Sequence, residues 1–550
     1  MYKKHILSIA IISLAVAMGS LLSACNDNHK HDQYAPAGKD ILIRGNGAEP
    51  PTLDTAIMQD VNSAAVIYDL YEGLTDFDQS DRPIPGLASS WTISKDGKVY
   101  TFHIRPDAKW SNGAPVTAAD FVYGWQRTLD PKTASPYAFT LFSVVNAKAI
   151  NAGKMPVSSL GVKVLDPHTL QVTLVRPVSY FLQVLTHPST YAVYAPSIQK
   201  YGKAFTQPGN LVSDGAYMLK EWVPNGYITL VKNPYYYDAA NVKISTVKFL
   251  PIVDTNSELA QYKAGSIDMT YTTPVDQYKT LLTQYPTQLH TVAWTATYYY
   301  DFNVTAAPFK NNPKLRQALS MTVDRDVLAT QILGQQQTPL YTFVPKGIEQ
   351  GALDAFVPYS WQKQAYKDRV TEAQKLFTAA GYSDAHPLEI TIAYNTNDLH
   401  KKVALAIASM WQQAFGKAIE VKLNNQEWSV FIQARNTAQF QVARDGWVAD
   451  FDTADNFTEL LMCGNPQNSS HYCNHKYDEL INQAEASTHP AARVKLLEQS
   501  QALMLNDYPT IPLVQYTYFR LVKPYIKGYD PTNNHLDHVH SKWFYFDYGK

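Results

Sequence analysis

Only three cysteines occur in the 550 residues, too few for a disulfide-dense scaffold. A charge excess is also missing: the formal net charge is −1, so no basic patch points to nucleic acid or to an anionic membrane surface. After the first 25 residues no apolar run reaches the roughly 18 residues that a membrane span requires. Internal repeats and low-complexity linkers are absent, so the domains of so long a chain are expected to interleave, with the chain crossing between them more than once. No GxSxG, HExxH, Walker A or glycine-rich dinucleotide pattern is present, which leaves hydrolysis and nucleotide chemistry without a visible apparatus. The sequence therefore reads as a non-enzyme with no cofactor and no metal.

What is present begins with size. The chain is too long for one hydrophobic core, and roughly 150 residues per domain suggests about three or four. Its 45% hydrophobic content is that of a soluble globular protein, while 37 Tyr and 10 Trp are many; such rings offer rigid, amphipathic contact area suited to clefts. Lys3, Lys4 and His5 precede the run "ILSIAIISLAVAMGSLL" and then "LSAC", which ends at Cys25. This is an export signal over 1–25. "LSAC" also resembles the lipobox of bacterial lipoproteins, which implies acylation of Cys25 and no other attachment to the membrane; an ordinary cleaved signal is the alternative. The polar stretch 26–39 suits a flexible tether. Cys463 and Cys473 close a short loop, "CGNPQNSSHYC", and an even pair in an exported chain predicts a disulfide.

From Asp40 onward short strands alternate with helices, the pattern of an α/β protein. "KVYTFHIR" (98–105), "TLQVTLVRP" and "YITLVKNP" read as strands, and Thr117 with Asp120 forms a capping box ahead of a helix. "NNPKLRQALSMTVDRDVLATQIL" starts a helix with Pro313 in its first turn, and Leu315, Leu319 and Val323 recur at helical spacing. A second helix covers 400–416 and stops at Gly416. In "HLDHVH" a strand would place His538 and His540 on one face and His535 on the other, and surface or core histidines fit better than a metal site.

The stretch "RDGWVADFD" (444–452) sets an arginine and three aspartates among Trp447, Val448, Ala449 and Phe451. Apolar neighbours imply burial, and an isolated buried ion costs several kcal/mol. A ligand that supplies the missing partner resolves this. Asp450 and Asp452 as a glycosidase acid/base pair do not, because a spacing of two on an irregular segment gives no reason for the separation across a scissile bond.

The order of motifs resembles the solute-binding proteins of peptide ABC importers, solute-binding protein family 5, and within it the oligopeptide-binding branch. The resemblance rests on "RGNGAEPPTLD" (44–54), "DLYEGL" (69–74), "DGKVYTFHIRPDAKWSNGAPVTAADFVYGWQR" (96–127), "HPSTYAVYAP" (187–196), "FKNNPKLRQALSMTVDRD" (309–326), "YNTNDLHKK" (394–402), "NQEW" (425–428) and "VARDGWVADFD" (442–452). It implies the type II periplasmic binding protein fold, α/β, with two hinged lobes and an additional third domain. By the same analogy lobe I comprises 40–71, 197–295 and 518–550, the extra domain 72–196, and lobe II 296–517. A periplasmic monomer that hands oligopeptides to an inner-membrane ABC permease is the implied role. A murein tripeptide, haem or a metal chelate is the alternative ligand within the family.

The resemblance also implies residue roles. Asp450 would pair with the peptide's α-ammonium. Gly446, Trp447 and Val448, with Met58, Gln59, Asp60 and Val61 on the facing lobe, would bond its main chain as an added strand. His400, Arg435 and Arg444 would meet its carboxylate, each at a different peptide length. Tyr137, Tyr271, Trp294, Tyr299, Asp301 and Trp428 would line hydrated side-chain pockets. Two departures stand out: Ala296 and Val448 occupy positions where the family has a disulfide pair, and Gln59 and Asp301 stand where it has glutamates.

Overall fold

The computed structural model of the chain describes residues 40–487 and 489–549. Residues 40–547 form one unit; a second, made of 1–39 and 548–550, lies almost wholly outside the described residues, and with it the signal, the tether and Cys25. No helix among the described residues is long and apolar enough to cross a membrane.

Leu42 and Arg44 alternate with more exposed neighbours in β1 (Ile41–Gly45), the period of two of a half-buried strand. Between β1 and the next strands lie α1 (Val61–Leu70), then β2 (Ala88–Ile93) and β3 (Val99–Ile104). The capping box of Thr117 and Asp120 starts α2 (Ala118–Leu129) as expected. β4 (Val162–Asp166) and β5 (Thr169–Thr173) complete an antiparallel sheet of order β2-β3-β5-β4. β6 (Tyr217–Val223), β7 (Tyr227–Lys232) and β8 (Thr246–Leu250) follow, and β8 pairs in parallel with β1 to give the order β1-β8-β7-β6.

β9 (Leu289–Phe302), α3 (Pro313–Met321), β10 (Leu388–Asn395), α4 (Asp398–Phe415), β11 (Ile419–Gln426), α5 (Trp428–Asn436) and β12 (Val442–Val448) build the second half. α6 (His475–Ala486), α7 (Pro490–Asp507) and β13 (Thr510–Leu521) complete it. Their sheet has the order β13-β9-β12-β10-β11, with Thr338–Pro339 on its outer edge. β9 and β13 pair antiparallel from Leu289↔Leu521 to Asp301↔Thr510, with a register shift between Ala293 and Thr297. Beyond the end of β13, Val522 bridges Met269, which in turn bridges Arg44 of β1. These isolated bridges at Met269 link the edges of the two sheets.

The helix that starts at Pro313 ends at Met321. Asp324 accepts the Val327 N–H at 3.2 Å and caps a new turn, and the buried Arg325 guanidinium is tied to the carbonyls of Leu340 and Pro512. Tertiary hydrogen bonds override a periodicity that is otherwise correct, since Leu315, Leu319 and Val323 are all fully buried. "HLDHVH" runs as an irregular segment with His538 and His540 in the core and His535 on the surface. α4 ends at Phe415, and Gly416 takes the positive φ of 57° that favours glycine.

Candidate functional site

A cavity of about 270 Å³ opens between the two sheets. One wall carries the loop after β1, Met58–Val61 ahead of α1, and Met269–Thr273; the other carries Asn395–His400, Trp428 and Arg435 of α5, and the run from Gly446 to Asp450. Tyr137 and His187 close one end. Three hydrogen bonds cross the cleft: Asn436 donates to Gln59 Oε1 at 2.9 Å, Thr255 to Asp398 at 3.4 Å, and the Trp428 indole to Asp60 at 3.5 Å.

β12 supplies the main-chain surface. One edge pairs with β9 along its whole length, from Phe302↔Val442 to Ala296↔Val448, so the two positions of the missing disulfide face each other. The other edge pairs with β10 only at Val442 and Ala443. Among the described residues, no strand lies beside that edge from Arg444 onward, which is what an added strand requires. A Cβ at Gly446 would meet Tyr516 Oη at 2.8 Å, so any larger residue there displaces the Tyr516 side chain.

Asp450 sits just beyond the end of β12. Its carboxylate accepts from Asn456 Nδ2 at 3.2 Å, and among the described residues it has no lysine or arginine partner. His187 Nε2 lies 3.7 Å away, but His187 Nδ1 accepts the Ser189 N–H at 3.2 Å and burial pushes the ring down to about 3, so it is neutral. Burial pushes Asp450 up to about 7. The anion is held without a counter-charge.

At the other end of the same segment, Arg444 donates to Tyr516 Oη at 2.5 Å and to Asn395 Oδ1 at 3.4 Å, and its guanidinium lies 5.1 Å over the Tyr298 ring. Its Nε has no partner, and no carboxylate pairs with it among the described residues. His400, whose Nδ1 is 3.1 Å from Tyr298 Oη, is pushed well below its usual range by burial and by the Arg444 cation. Arg435 differs: it forms a buried ion pair with Asp445.

Met58, Gln59, Asp60, Val61, Tyr137, Tyr271, Trp294, His400, Trp428, Arg435, Arg444, Gly446, Trp447, Val448 and Asp450 all line the cavity. Tyr299 and Asp301 do not. Both leave β9 on the face occupied by Asp445, where Phe343 packs edge-on against Tyr299 at 4.8 Å and the Arg435–Asp445 pair covers Asp301. Burial, then Asp445, pushes the Asp301 carboxyl well above its usual range, and it is a core group rather than a pocket wall. Sequence reasoning missed His187, Asn456, Tyr516 and the Arg520–Asp537 pair (2.9 Å) beside Tyr518. They come from distant segments and carry no local signal. The Cys463–Cys473 disulfide is present.

Residues 82–469 match the family described as bacterial extracellular solute-binding proteins, family 5 Middle. The chain is 39% identical to the periplasmic oligopeptide-binding protein OppA of Escherichia coli K12, over 94% of this chain and 96% of that one. The crystal structure of Haemophilus influenzae OppA in complex with RPPGFSPFR superposes with a TM-score of 0.90 at 38% identity, covering 94% of this chain and all of that one. The Escherichia coli murein tripeptide binding protein MppA gives 0.88 at 38% identity, covering 92% and 98%. The unliganded open form of MppA gives 0.62 at 37% identity, covering 94% and 99%. The fold is the type II periplasmic binding protein fold, and the chain belongs to family 5 of the bacterial extracellular solute-binding proteins.

Proposed function

We propose that the chain captures oligopeptides outside the cytoplasm and delivers them to an inner-membrane ABC permease, without turnover. One observation carries this reading: Asp450 and Arg444, opposite charges with no ion-pair partner of opposite fixed charge among the described residues, flank a strand edge that no described strand covers. A peptide laid along that edge supplies an ammonium for Asp450, a carboxylate for Arg444 and main-chain groups for Gly446–Val448, with Met58–Val61 on the opposite wall. Affinity then comes from groups that all peptides share, and the aromatic walls with their water accept varied side chains. Closure follows because a ligand touching both walls favours the closed state by its differential affinity.

The peptide-binding roles of the relatives OppA and MppA support the reading. The lobes would be 40–71 with 197–295 and 518–550, and 296–517, with 72–196 as the extra domain. A lipid on Cys25 of a periplasmic monomer would keep the protein at the membrane, and a mass shift of the exported protein after palmitate labelling tests that. Calorimetric titration with peptides of two to five residues, and with murein tripeptide in parallel, tests the ligand. Saturable one-to-one binding of ordinary peptides, recovered intact, is the expected result. Binding of the murein tripeptide alone would overturn it.

A further inference from the structure

A second group of charges lies away from the cleft. Asp455 and Glu459 are four residues apart on one helical face, and Glu485 comes from the end of α6; one ligand oxygen from each lies within 4.8 Å of the others. A single ion bonded at about 2.3–2.6 Å to each oxygen spans such a triangle. Asp455 is 1% exposed. Its Oδ2 is taken by the Thr453 hydroxyl at 2.9 Å and by Arg493, while Oδ1 has no hydrogen-bond partner. A buried carboxylate oxygen left bare is costly.

Charge balance points the same way. Arg176 pairs with Glu485 at 2.5 Å, and Arg493 pairs with Asp455 and, at 2.6 Å, with Glu349. Four carboxylates against two guanidiniums leave two negative charges. Glu459 is within hydrogen-bond reach of Glu485. Two carboxylates facing each other need either a proton or a cation between them.

We infer that Asp455, Glu459 and Glu485 form a binding site for one hard divalent cation, calcium or magnesium. All the donors are carboxylate oxygens, which suit calcium, magnesium and manganese rather than zinc or copper. The cation cancels the residual charge, takes the bare Asp455 Oδ1, and ties residues 455–459 to the end of α6. Nothing in this depends on what the cleft binds.

Calorimetric titration of the full chain, stripped with EDTA, with CaCl2 and separately with MgCl2 tests the site. One equivalent should bind with Kd about 0.1–1 mM, the range of extracellular calcium modules, and raise the melting temperature. Glu459→Gln and Glu485→Gln should each weaken binding by at least about tenfold. In cation-free buffer Glu459→Gln should melt no lower than wild type, because a like-charge contact is gone, and this shows that the variant is folded. Absence of saturable uptake by the wild type, or unchanged affinity in both variants, would overturn the proposal.

Discussion

Asn456 holds Asp450 at two points. Its Nδ2 donates to the Asp450 carboxylate at 3.2 Å, and its Oδ1 accepts the Asp450 backbone N–H at 3.1 Å while also accepting the Trp447 indole N–H at 2.8 Å. One amide therefore fixes both the anion and an aromatic wall of the cleft. Asn456→Ala leaves these partners bare, so peptide affinity should fall about tenfold, the worth of one or two net hydrogen bonds. Titration calorimetry measures it, with near-ultraviolet circular dichroism to report the Trp447 environment.

In the loaded state the Asp450 carboxylate and the peptide ammonium are both out of water. Asp450→Ala leaves the ammonium buried without a counter-charge, a loss of roughly 3 to 5 kcal/mol, or about two to four decades of affinity. N-acetylation of the peptide removes the other partner and should cost a comparable amount. Equal binding of free and acetylated peptides by the wild type would sink the anchor role.

The Asp450 carboxyl, raised to about 7 by burial, makes both binding and stability depend on pH. Only the ionised form attracts an ammonium, so peptide affinity should fall by up to about tenfold per unit as pH drops below about 7, and proton release should accompany binding there. Without ligand the sign is opposite. Between about 4 and 7 the folded state holds a proton that the unfolded state has lost, so this group's contribution to stability declines as pH rises through that window. Asp450→Asn should remove the acid limb of binding and melt higher than wild type at pH 8; thermal melts and calorimetry across pH 5 to 8 read both effects.

Arg444 and Arg435 look alike in the sequence and should behave differently. Arg444 has no ion-pair carboxylate among the described residues, so Arg444→Ala should weaken peptides whose carboxylate reaches it and cost less stability than loss of Arg435. Arg435 neutralises Asp445 beside Asp301, so Arg435→Ala should destabilise the fold by about 3 to 5 kcal/mol, as breaking a buried pair does. Urea unfolding next to calorimetry separates the two outcomes.

The bond between Cys463 and Cys473 spans ten positions, and closing so short a loop contributes about 2 to 3 kcal/mol through the unfolded state. Cys463→Ala with Cys473→Ala should lower stability by that amount and change peptide affinity by less than the loss of Asp450 does, because within the loop Gln467 alone lines the cleft. Two free thiols in the unfolded, unreduced protein would contradict the bond.

Short-range signals in the sequence determined the α/β alternation, the capping box at Thr117 and Asp120, α4 up to Gly416 and the disulfide pair, because caps, periodicity and loop closure act within a few residues. The ordered motifs pointed to the family and to the wall residues at 58–61 and 446–450. Only the tertiary structure decided which charges are already satisfied. Arg435 finds Asp445, Tyr299 and Asp301 turn into the core, and the helix from Pro313 breaks where Arg325 reaches Pro512. Desolvation and counter-ion pairing depend on what folds against a group, and Asp450 meets His187 across 263 positions of chain; no local pattern carries that information.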